Sequence, residues 1–510
     1  MGTSGSSRTW AALWATLIAV ATVSVYATGL RIRHYGDDFA YIYADTPTGR
    51  LFTRANRYSG FYRPLEALFL KTVQRSFGFN TLPAHAIQAL THAALCLLIF
   101  CWLRQVGFAT VQAGLAGLFM GVWQVNVLMV LSNDTFSQVG GTFFGCLTLF
   151  LLYHHGAKRA GAGRGDRRWL GPLTYLLAVA AFVVSLFCKE SSVSFFPLAL
   201  AVLFLSPGLG KRGRFLARER LWKAAPFLVV FVLYMALRAS ASGAEPEFGE
   251  SRYDFRIGFN IVRNVAQFGL ASALPVSTVR AYAAHTLGSR AVFAAYAAPA
   301  VLFLGLVAYG LVRCERNRAL ILVLAAFAFV CFFPMAMMNH VSEGNVYNAM
   351  PFLVALFGIG WGRLWTLSDR APVRALIALL TVALLASHAV AVRSKAAMMV
   401  RNGRRAWALL DRVRPYVDRV PPDGRLYLLN PPPPRGKLQR YSVFILRGFN
   451  PLYLGEHVVG DWAGREDIRT KVINADELDQ AEQADDALIL TLDGDKVRVV
   501  KPGTPPETRS

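Results

Sequence analysis

The sequence predicts an α-helical polytopic membrane protein of about 11 transmembrane helices with a small α/β domain after them. Of its 510 residues, 54% are hydrophobic and only 17% are charged, a balance that a single soluble domain does not have. Residues 393–510 differ, because they carry charges of both signs and contain no apolar run of spanning length. Apolar stretches near the roughly 20 residues that a spanning helix needs occur at 9–30, 84–103, 110–131, 136–154, 171–188, 190–206, 223–239, 291–312, 319–338, 349–366 and 374–392.

The charged loops orient these spans. Four short loops are rich in Arg and Lys, and all four are cytoplasmic if the weaker apolar stretch 259–275 does not cross the membrane. We therefore predict that 259–275 lies at the interface, that the N-terminus is cytoplasmic, and that loops 31–83 and 240–290 face outward. Arg far outnumbers Lys, which we interpret as a bacterial inner-membrane protein. The four basic loops are 158–168, 211–220, 313–318 and 363–374.

The C-terminal residues are predicted to form a domain of their own. We expect a transmembrane catalytic domain over residues 1–392 and a soluble α/β extracytoplasmic domain over 393–510. Apolar residues recur at helical spacing between Trp407 and Val417, which indicates an amphipathic helix. Strands are predicted at 425–430, 487–492 and 496–501, with a Gly-Asp turn joining the last two.

Charge and motif content exclude several classes of protein. The formal net charge of +23 is explained largely by the cytoplasmic loops, so nucleic acid is not an expected partner. The outward loop 31–83 is also basic, however, which suits a ligand that bears phosphate. All six cysteines lie within or at the ends of apolar stretches, so no disulfide framework is visible. No Walker loop, zinc-type Cys/His spacing or serine-nucleophile elbow occurs.

Two adjacent acids, Asp37 and Asp38, follow the first span closely. Acidic residues at the end of a membrane span often have a function. One such function is that of a general base, which accepts the proton of an attacking hydroxyl. A divalent metal ion is the other group that two carboxylates can hold, so metal dependence stays open with Asp37 and Asp38 as the candidates. The plainer interpretation is a pair of solvated acids that balance Arg31 and Arg33.

Candidate phosphate-binding groups come later in the chain. Arg63 precedes an amphipathic segment with Pro64 in its first turn, and its planar guanidinium matches a phosphate. Lys189 and Glu190 lie in a tight turn between two spans; Lys189 is a candidate for the phosphate, and Glu190 for a metal or for its lysine neighbour. An arginine that only reaches lipid head groups and a simple ion pair are the alternatives.

Weaker candidates for substrate binding have plain structural explanations beside them. His92, within the second span, is also typical of an interior hydrogen-bonded histidine. Asn133-Asp134 begins the fourth span and can serve as an N-cap. Arg238 ends the seventh span, where snorkelling explains an arginine. Glu343 and Tyr347 lie in an outward loop that is otherwise an ordinary solvated loop.

Together these residues supply what the transfer of a sugar from a lipid phosphate needs: a base, cations for the leaving phosphate, and a position at the membrane surface. With these motifs the chain resembles the GT-C-type glycosyltransferases, polytopic enzymes that use polyprenyl- or dolichyl-phosphate sugars. It looks most like the membrane half of the transmembrane O-mannosyltransferases with tetratricopeptide tails, and their bacterial relatives. The carrying residues are Asp37-Asp38-Phe39, Tyr62-Arg63-Pro64-Leu65, His92 and Lys189-Glu190.

The chain departs from that family in three places. Trp123-Gln124-Val125-Asn126 stands where a His-Pro motif is expected, and Gly344 replaces the Arg of a Glu-Arg-x-x-Tyr motif. The C-terminal residues have no repeat of tetratricopeptide period. The resemblance therefore implies the reaction of the superfamily, an inverting transfer from a polyprenyl-phosphate-linked sugar to an acceptor hydroxyl at the outer face, rather than protein O-mannosylation in particular.

On this hypothesis Asp37 or Asp38 takes the acceptor proton, and Arg63 with Lys189 holds the departing phosphate. The acceptor is a glycan, a lipid or a protein. Three alternatives stay open: a lipid-linked glycan polymerase or ligase, a flippase or transporter of lipid-linked sugars, and a non-catalytic scaffold. A transporter typically shows interrupted helices and paired polar groups at the midplane, often in two repeated halves.

Overall fold

The structure is a computed structural model, and the part it describes is mostly helical. The described residues are 3–35, 38, 48–55, 61–161, 170–205, 218–241, 256–286, 288–338, 342–429, 458–465, 467–473, 475–493 and 496–501. The helices are α1 (Thr3–Tyr26), α2 (Pro64–Phe77), α3 (Leu82–Val106), α4 (Thr110–Val122), α5 (Val127–Leu131), α6 (Phe136–Gly161), α7 (Leu170–Cys188), α8 (Phe195–Leu205), α9 (Arg218–Ala241), α10 (Phe259–Ala273), α11 (Thr278–Thr286), α12 (Arg290–Val312), α13 (Arg318–Ala336), α14 (Met350–Leu367), α15 (Ala371–Val417), α16 (Val458–Ala463) and α17 (Leu478–Glu482).

The protein is an integral membrane protein. Among the described residues, nine helices are long and apolar enough to cross a membrane, and α4 with the segment Gln124–Leu131 forms a tenth candidate that bends by 42°. The predicted span at 190–206 is a shorter apolar helix, Glu190–Leu205. The stretch predicted to be interfacial is α10, whose 15 residues are fewer than a full span needs.

The bend between α4 and α5 lies at Trp123. Its backbone is extended (φ −70°, ψ 124°), and a 3-10 turn, Gln124–Asn126, follows before the helix resumes. The Trp123 ring stacks on His388 of α15 at 3.7 Å between ring centroids, and its indole N–H donates to the carbonyl of Ser272. The break in the span is therefore packed and hydrogen-bonded on both sides, not frayed.

Small residues let the central helices approach closely, as they do in many membrane bundles. A Cβ added at Gly358 of α14 would lie 2.6 Å from the backbone nitrogen of Ala116 and 2.7 Å from the carbonyl oxygen of Gln112, both in α4. No side chain larger than hydrogen fits there without moving one of the two helices.

A small sheet lies near the C-terminal end. Its four strands in the described part are β1 (Arg425–Leu429), β2 (Arg469–Ile473), β3 (Ala487–Asp493) and β4 (Lys496–Lys501), in the order β2-β1-β3-β4. β1 pairs in parallel with β2 and with β3, and β3 pairs antiparallel with β4. The predicted strand and the antiparallel pairing of the predicted hairpin are confirmed, and its Gly-Asp turn lies outside the described residues. β2, with its basic residues, was not predicted.

The helix predicted between Trp407 and Val417 is the last part of α15, which runs unbroken for 47 residues. The predicted division of the chain at residue 393 falls inside this helix. α15 packs against the segment that follows α1: a Cβ added at Gly403 would lie 2.7 Å from the carbonyl oxygen of Arg33. The guanidinium of Arg33 lies 4.1 Å from the centre of the Trp407 ring.

Candidate active site

Arg63 is held between two acids at the start of α2. Pro64 occupies the first turn of the helix, where its missing N–H costs nothing. The Nε of Arg63 donates to both carboxylate oxygens of Glu190, at 3.0 and 2.8 Å, and its Nη1 donates to Glu66 Oε2 at 3.4 Å. The two predicted residues Arg63 and Glu190 thus pair with each other, so Glu190 is engaged by the arginine and not by its neighbour Lys189.

Lys189 precedes a 3-10 turn, Glu190–Ser194, and the residue as a whole is partly exposed. Within the part of the chain that the structure describes, its ammonium makes no hydrogen bond and no ion pair. Burial, together with the positive charge of Arg63, lowers the pKa of Lys189 to about 8, although Glu190, Glu66 and Asp134 act in the opposite direction. The site therefore contains a cation available to a ligand anion.

The two carboxylates that contact Arg63 differ in their charge preference. Burial raises the pKa of Glu66, and the attraction of Arg63 and Lys189 only partly offsets this; one oxygen accepts from the backbone N–H of Ser137 at 3.2 Å. Burial also acts to raise the pKa of Glu190, but the attraction of Arg63 and Lys189 outweighs it and the pKa is lowered. Glu190 is thus the partner that stays ionised against Arg63.

Asp38 is buried and held by two donors. Its side chain is 1% exposed, and its Oδ2 accepts from the backbone N–H of Tyr35 at 3.0 Å and from Nδ2 of Asn133 at 2.8 Å. Asn133 begins the 3-10 turn Asn133–Thr135, which joins α5 to α6. The other acid of the doublet, Asp37, lies outside the described residues.

Asp134, the residue after Asn133, lies near the cation cluster, which is formed by Arg63 and Lys189. Its Oδ1 accepts from the Ser132 hydroxyl at 2.6 Å, and it lies within electrostatic range of Lys189 and Arg63. One short turn thereby connects Asp38 to Lys189. Among the described residues, no group of three or more His, Cys, Asp or Glu side chains is arranged to hold a metal ion.

His92 and Tyr347 meet inside the bundle. The Nδ1 of His92 lies 2.7 Å from the Tyr347 hydroxyl, and both side chains are fully buried. Tyr26 of α1 packs edge-on against the His92 ring at 5.4 Å between centroids. This is the interior hydrogen-bonded histidine that was the plainer interpretation of His92.

Glu343 lies in a separate buried network. Its Oε2 accepts from the Lys395 ammonium of α15 at 2.6 Å, and the two side chains are 0% and 1% exposed. Thr278 also donates to Glu343. Glu343 was predicted to line the site in an outward loop, but its carboxylate is enclosed instead. Arg238 is in electrostatic range of Tyr234, as are Arg63 and Glu190, so it lies near the cation cluster.

Glu66 and Asn348 are residues of this site that sequence reasoning missed. Asn348 accepts from the Thr142 hydroxyl at 2.6 Å and from Gln138, and its Nδ2 donates to the Ser191 hydroxyl at 2.9 Å. It thus connects the segment before α14 to the turn that carries Lys189. Glu66 had a signal, because it lies three residues after Arg63 on the same helix, where an opposite charge is a neighbour.

Solved structures identify the fold. The chain is similar to ArnT from Cupriavidus metallidurans at 17% identity, covering 94% of this chain and 93% of that one with a TM-score of 0.50. The chain has a GT-C fold. The archaeal oligosaccharyltransferase AglB from Archaeoglobus fulgidus is also similar, at 11% identity over 91% of this chain and 64% of that one, with a TM-score of 0.46. A scan of protein-family models and a search of the curated proteins both find no match.

The GT-C fold confirms the predicted fold class. The narrower resemblance to the O-mannosyltransferases stays a prediction. Arg63 lies at the start of α2, and Lys189 and Glu190 lie in the turn after α7. Their roles in a reaction stay predictions.

Proposed function

We propose that this chain is an integral membrane glycosyltransferase that moves a sugar from a polyprenyl-phosphate-linked donor to an acceptor hydroxyl at the outer face of the membrane, with inversion. One observation carries the proposal: Asn133 holds the Asp38 carboxylate at 2.8 Å, while the next residue, Asp134, is in electrostatic range of Lys189. A fixed acid and an available cation thus lie on either side of one turn. Base and cation are the two groups that such a transfer needs.

The reaction is a single displacement. The acceptor O–H gives its proton to a carboxylate of the Asp37-Asp38 doublet, and its oxygen attacks the anomeric carbon of the donor sugar. The bond between that carbon and the phosphate oxygen breaks, and its electron pair leaves with the phosphate, which gives polyprenyl phosphate. Attack from the face opposite the leaving group inverts the anomeric centre.

Lys189 and Arg63 have different parts in this proposal. Lys189 meets the leaving phosphate, because the residue is partly exposed and its ammonium makes no hydrogen bond in the described residues. Arg63 is engaged by Glu190 through both carboxylate oxygens, so it adds positive charge near the phosphate and orders the turn that carries Lys189. Charge that develops on the phosphate oxygen is what both cations stabilise.

Orientation and domain roles are part of the proposal. We place the N-terminus in the cytoplasm and residues 393–510 outside, in a bacterial inner membrane, because the basic loops then obey the positive-inside rule. Residues 1–392 are the catalytic unit and 393–510 the soluble unit. Since α15 runs across this division, the soluble unit is attached to the bundle by a continuous helix.

The test is a transfer assay on the full chain in nanodiscs. A panel of polyprenyl-phosphate sugars serves as donor and a bacterial lipid and glycan extract as acceptor, and released polyprenyl phosphate is measured by mass spectrometry. We expect release that depends on Asp37 or Asp38 and on Lys189. Release of polyprenyl diphosphate favours a polymerase or ligase instead, and movement of intact donor across vesicles without release favours a flippase.

A further inference from the structure

The buried pair of Lys395 and Glu343 has no role in the chemistry proposed above. The Lys395 ammonium donates to Glu343 Oε2 at 2.6 Å, to the Thr278 hydroxyl at 2.8 Å and to the carbonyl oxygen of Gln124 at 3.1 Å. Its three protons therefore reach three separate chain segments: the turn before α14, the start of α11, and the bend between α4 and α5. α15 supplies the cation that joins them.

Stability alone is a weak reason for such a pair. Taking two charges out of water is costly, and well-packed apolar replacements are often as stable or more stable. A buried ammonium whose three donors are all hydrogen-bonded instead fixes one arrangement of the segments that it joins. The second carboxylate oxygen of Glu343, Oε1, has no hydrogen-bond partner in the described residues.

The segment that Glu343 fixes leads into the candidate active site. Four residues later the Tyr347 hydroxyl contacts His92 at 2.7 Å, and the next residue, Asn348, donates to Ser191 at 2.9 Å. Ser191 is two residues from Lys189. Movement of the segment 342–350 would therefore move the turn that carries the proposed phosphate-binding lysine.

α15 contacts the other side of the site as well. Trp407, twelve residues beyond Lys395, packs under the Arg33 guanidinium at 4.1 Å, and Arg33 precedes Tyr35, whose N–H binds Asp38 at 3.0 Å. The same helix thus supports both the segment before Asp38 and, through Glu343, the turn with Lys189.

We propose that Lys395 is a positioning residue: through Glu343 it sets the segment 342–350 and thereby the distance between the Asp38 segment and Lys189. This inference rests on the proposed function for the identity of the site. It makes α15, the helix that continues toward the sheet, the element that aligns the two halves of the active site. Lys395 itself contacts no substrate.

The test separates positioning from folding. K395M leaves Glu343 buried without a cation and is expected to lose stability, so the informative variant is E343Q/K395M, which removes both charges and keeps similar volumes. We expect this double variant to unfold at a temperature close to that of the wild type, while kcat falls about tenfold or more and the KM for the polyprenyl-phosphate sugar changes little. K395R keeps the positive charge at this position, so we expect its kcat to lie between that of E343Q/K395M and that of the wild type.

A second readout concerns local motion. Amide hydrogen exchange in 342–350 is expected to speed up in E343Q/K395M while exchange in α6 and α7 is unchanged, which a general loss of stability does not produce. R404Q, at an exposed position of the same helix, is the control and keeps wild-type kcat. Wild-type kcat in E343Q/K395M overturns the inference. If D37N/D38N also keeps wild-type kcat, both the inference and the proposed function fail. If E343Q/K395M keeps wild-type kcat and D37N/D38N does not, only the inference fails and the proposed function stands.

Discussion

The side-chain amide of Asn133 donates to the carboxylate of Asp38 at 2.8 Å, although 95 residues separate them in the sequence. Asn133 begins the turn between α5 and α6. The hydrogen bond therefore connects Asp38, which follows α1 in the chain, to this turn. The neighbour of Asn133, Asp134, faces Lys189 and Arg63. This turn is therefore the point at which the acidic and the basic parts of the site meet.

Replacing Asn133 tests that connection. N133A removes one of the two donors that Asp38 Oδ2 has among the described residues, and we expect a loss of about 1–2 kcal/mol in the free energy of unfolding and about a tenfold fall in kcat. N260A is the matched control, because Asn260 is partly exposed and its side-chain amide donates to a nearby backbone carbonyl, that of Arg256, at 2.9 Å. Wild-type kcat in N133A, measured with folded protein, would show that Asp38 needs no such anchor.

The lowered pKa of Lys189 predicts that binding of the donor depends on pH. With a pKa near 8, set first by burial and then by Arg63, the side chain is charged below pH 8 and neutral above it. The KM for the donor is therefore lowest below pH 8 and rises above it, toward about tenfold per pH unit. In K189R this rise is absent, since a guanidinium does not titrate in this range. A rise of the same size in K189R assigns it to another group.

K189M removes the same cation at every pH. The loss of a charged contact to phosphate is expected to raise the donor KM by about tenfold to a hundredfold, with the protein still folded because Lys189 makes no hydrogen bond in the described residues. Donor titrations at pH 7 measure this. An unchanged KM excludes Lys189 as a phosphate contact.

Arg63 is expected to matter for stability as well as for turnover. R63A leaves Glu190 and Glu66 without the guanidinium that contacts them, and removal of one member of such a buried cluster costs about 3 kcal/mol. R63A/E190Q recovers part of this loss because one stranded charge is gone. Thermal unfolding of the purified variants decides the matter: a double variant no more stable than R63A contradicts the assigned ion pair.

A substitution at Gly403 tests how closely α15 packs against the segment before Asp38. A Cβ there would lie 2.7 Å from the Arg33 carbonyl oxygen, so G403A forces two backbones apart at a cost of about 1–3 kcal/mol. We expect a lower unfolding temperature and a lower kcat. G305A is the matched control, since a Cβ at Gly305 meets nothing within 4 Å. Equal behaviour of the two variants argues against a tight contact at Gly403.

The sequence predicted the helical membrane architecture well because a spanning helix is defined by local hydrophobicity, which does not depend on distant residues. It predicted the shorter elements less well. The turns Asn133–Thr135 and Glu190–Ser194 are 3-10 segments that continue directly into helices, and a hydrophobicity pattern does not separate them from the helix that follows. Both turns carry site residues.

The candidate site was predicted as a set of residues but not as a set of contacts. Arg63, Lys189 and Glu190 were identified from residue type and position, whereas the pairing of Arg63 with Glu190 spans 127 residues and depends on how α2 packs on α7. Lys395 gave no signal at all. It follows the last apolar stretch among other basic residues, where a solvated lysine is the ordinary expectation, and only the packing of α15 shows that it is buried.

Turnover of a polyprenyl-phosphate sugar by the D37N/D38N variant tests the central claim most directly. Full-length protein in nanodiscs is compared with this variant and with the wild type for release of polyprenyl phosphate, with K189R as a second, charge-preserving comparison. We predict release by the wild type and at least about a hundredfold slower release by D37N/D38N at unchanged folding. Equal release by the wild type and D37N/D38N would contradict the claim that this aspartate doublet activates the acceptor.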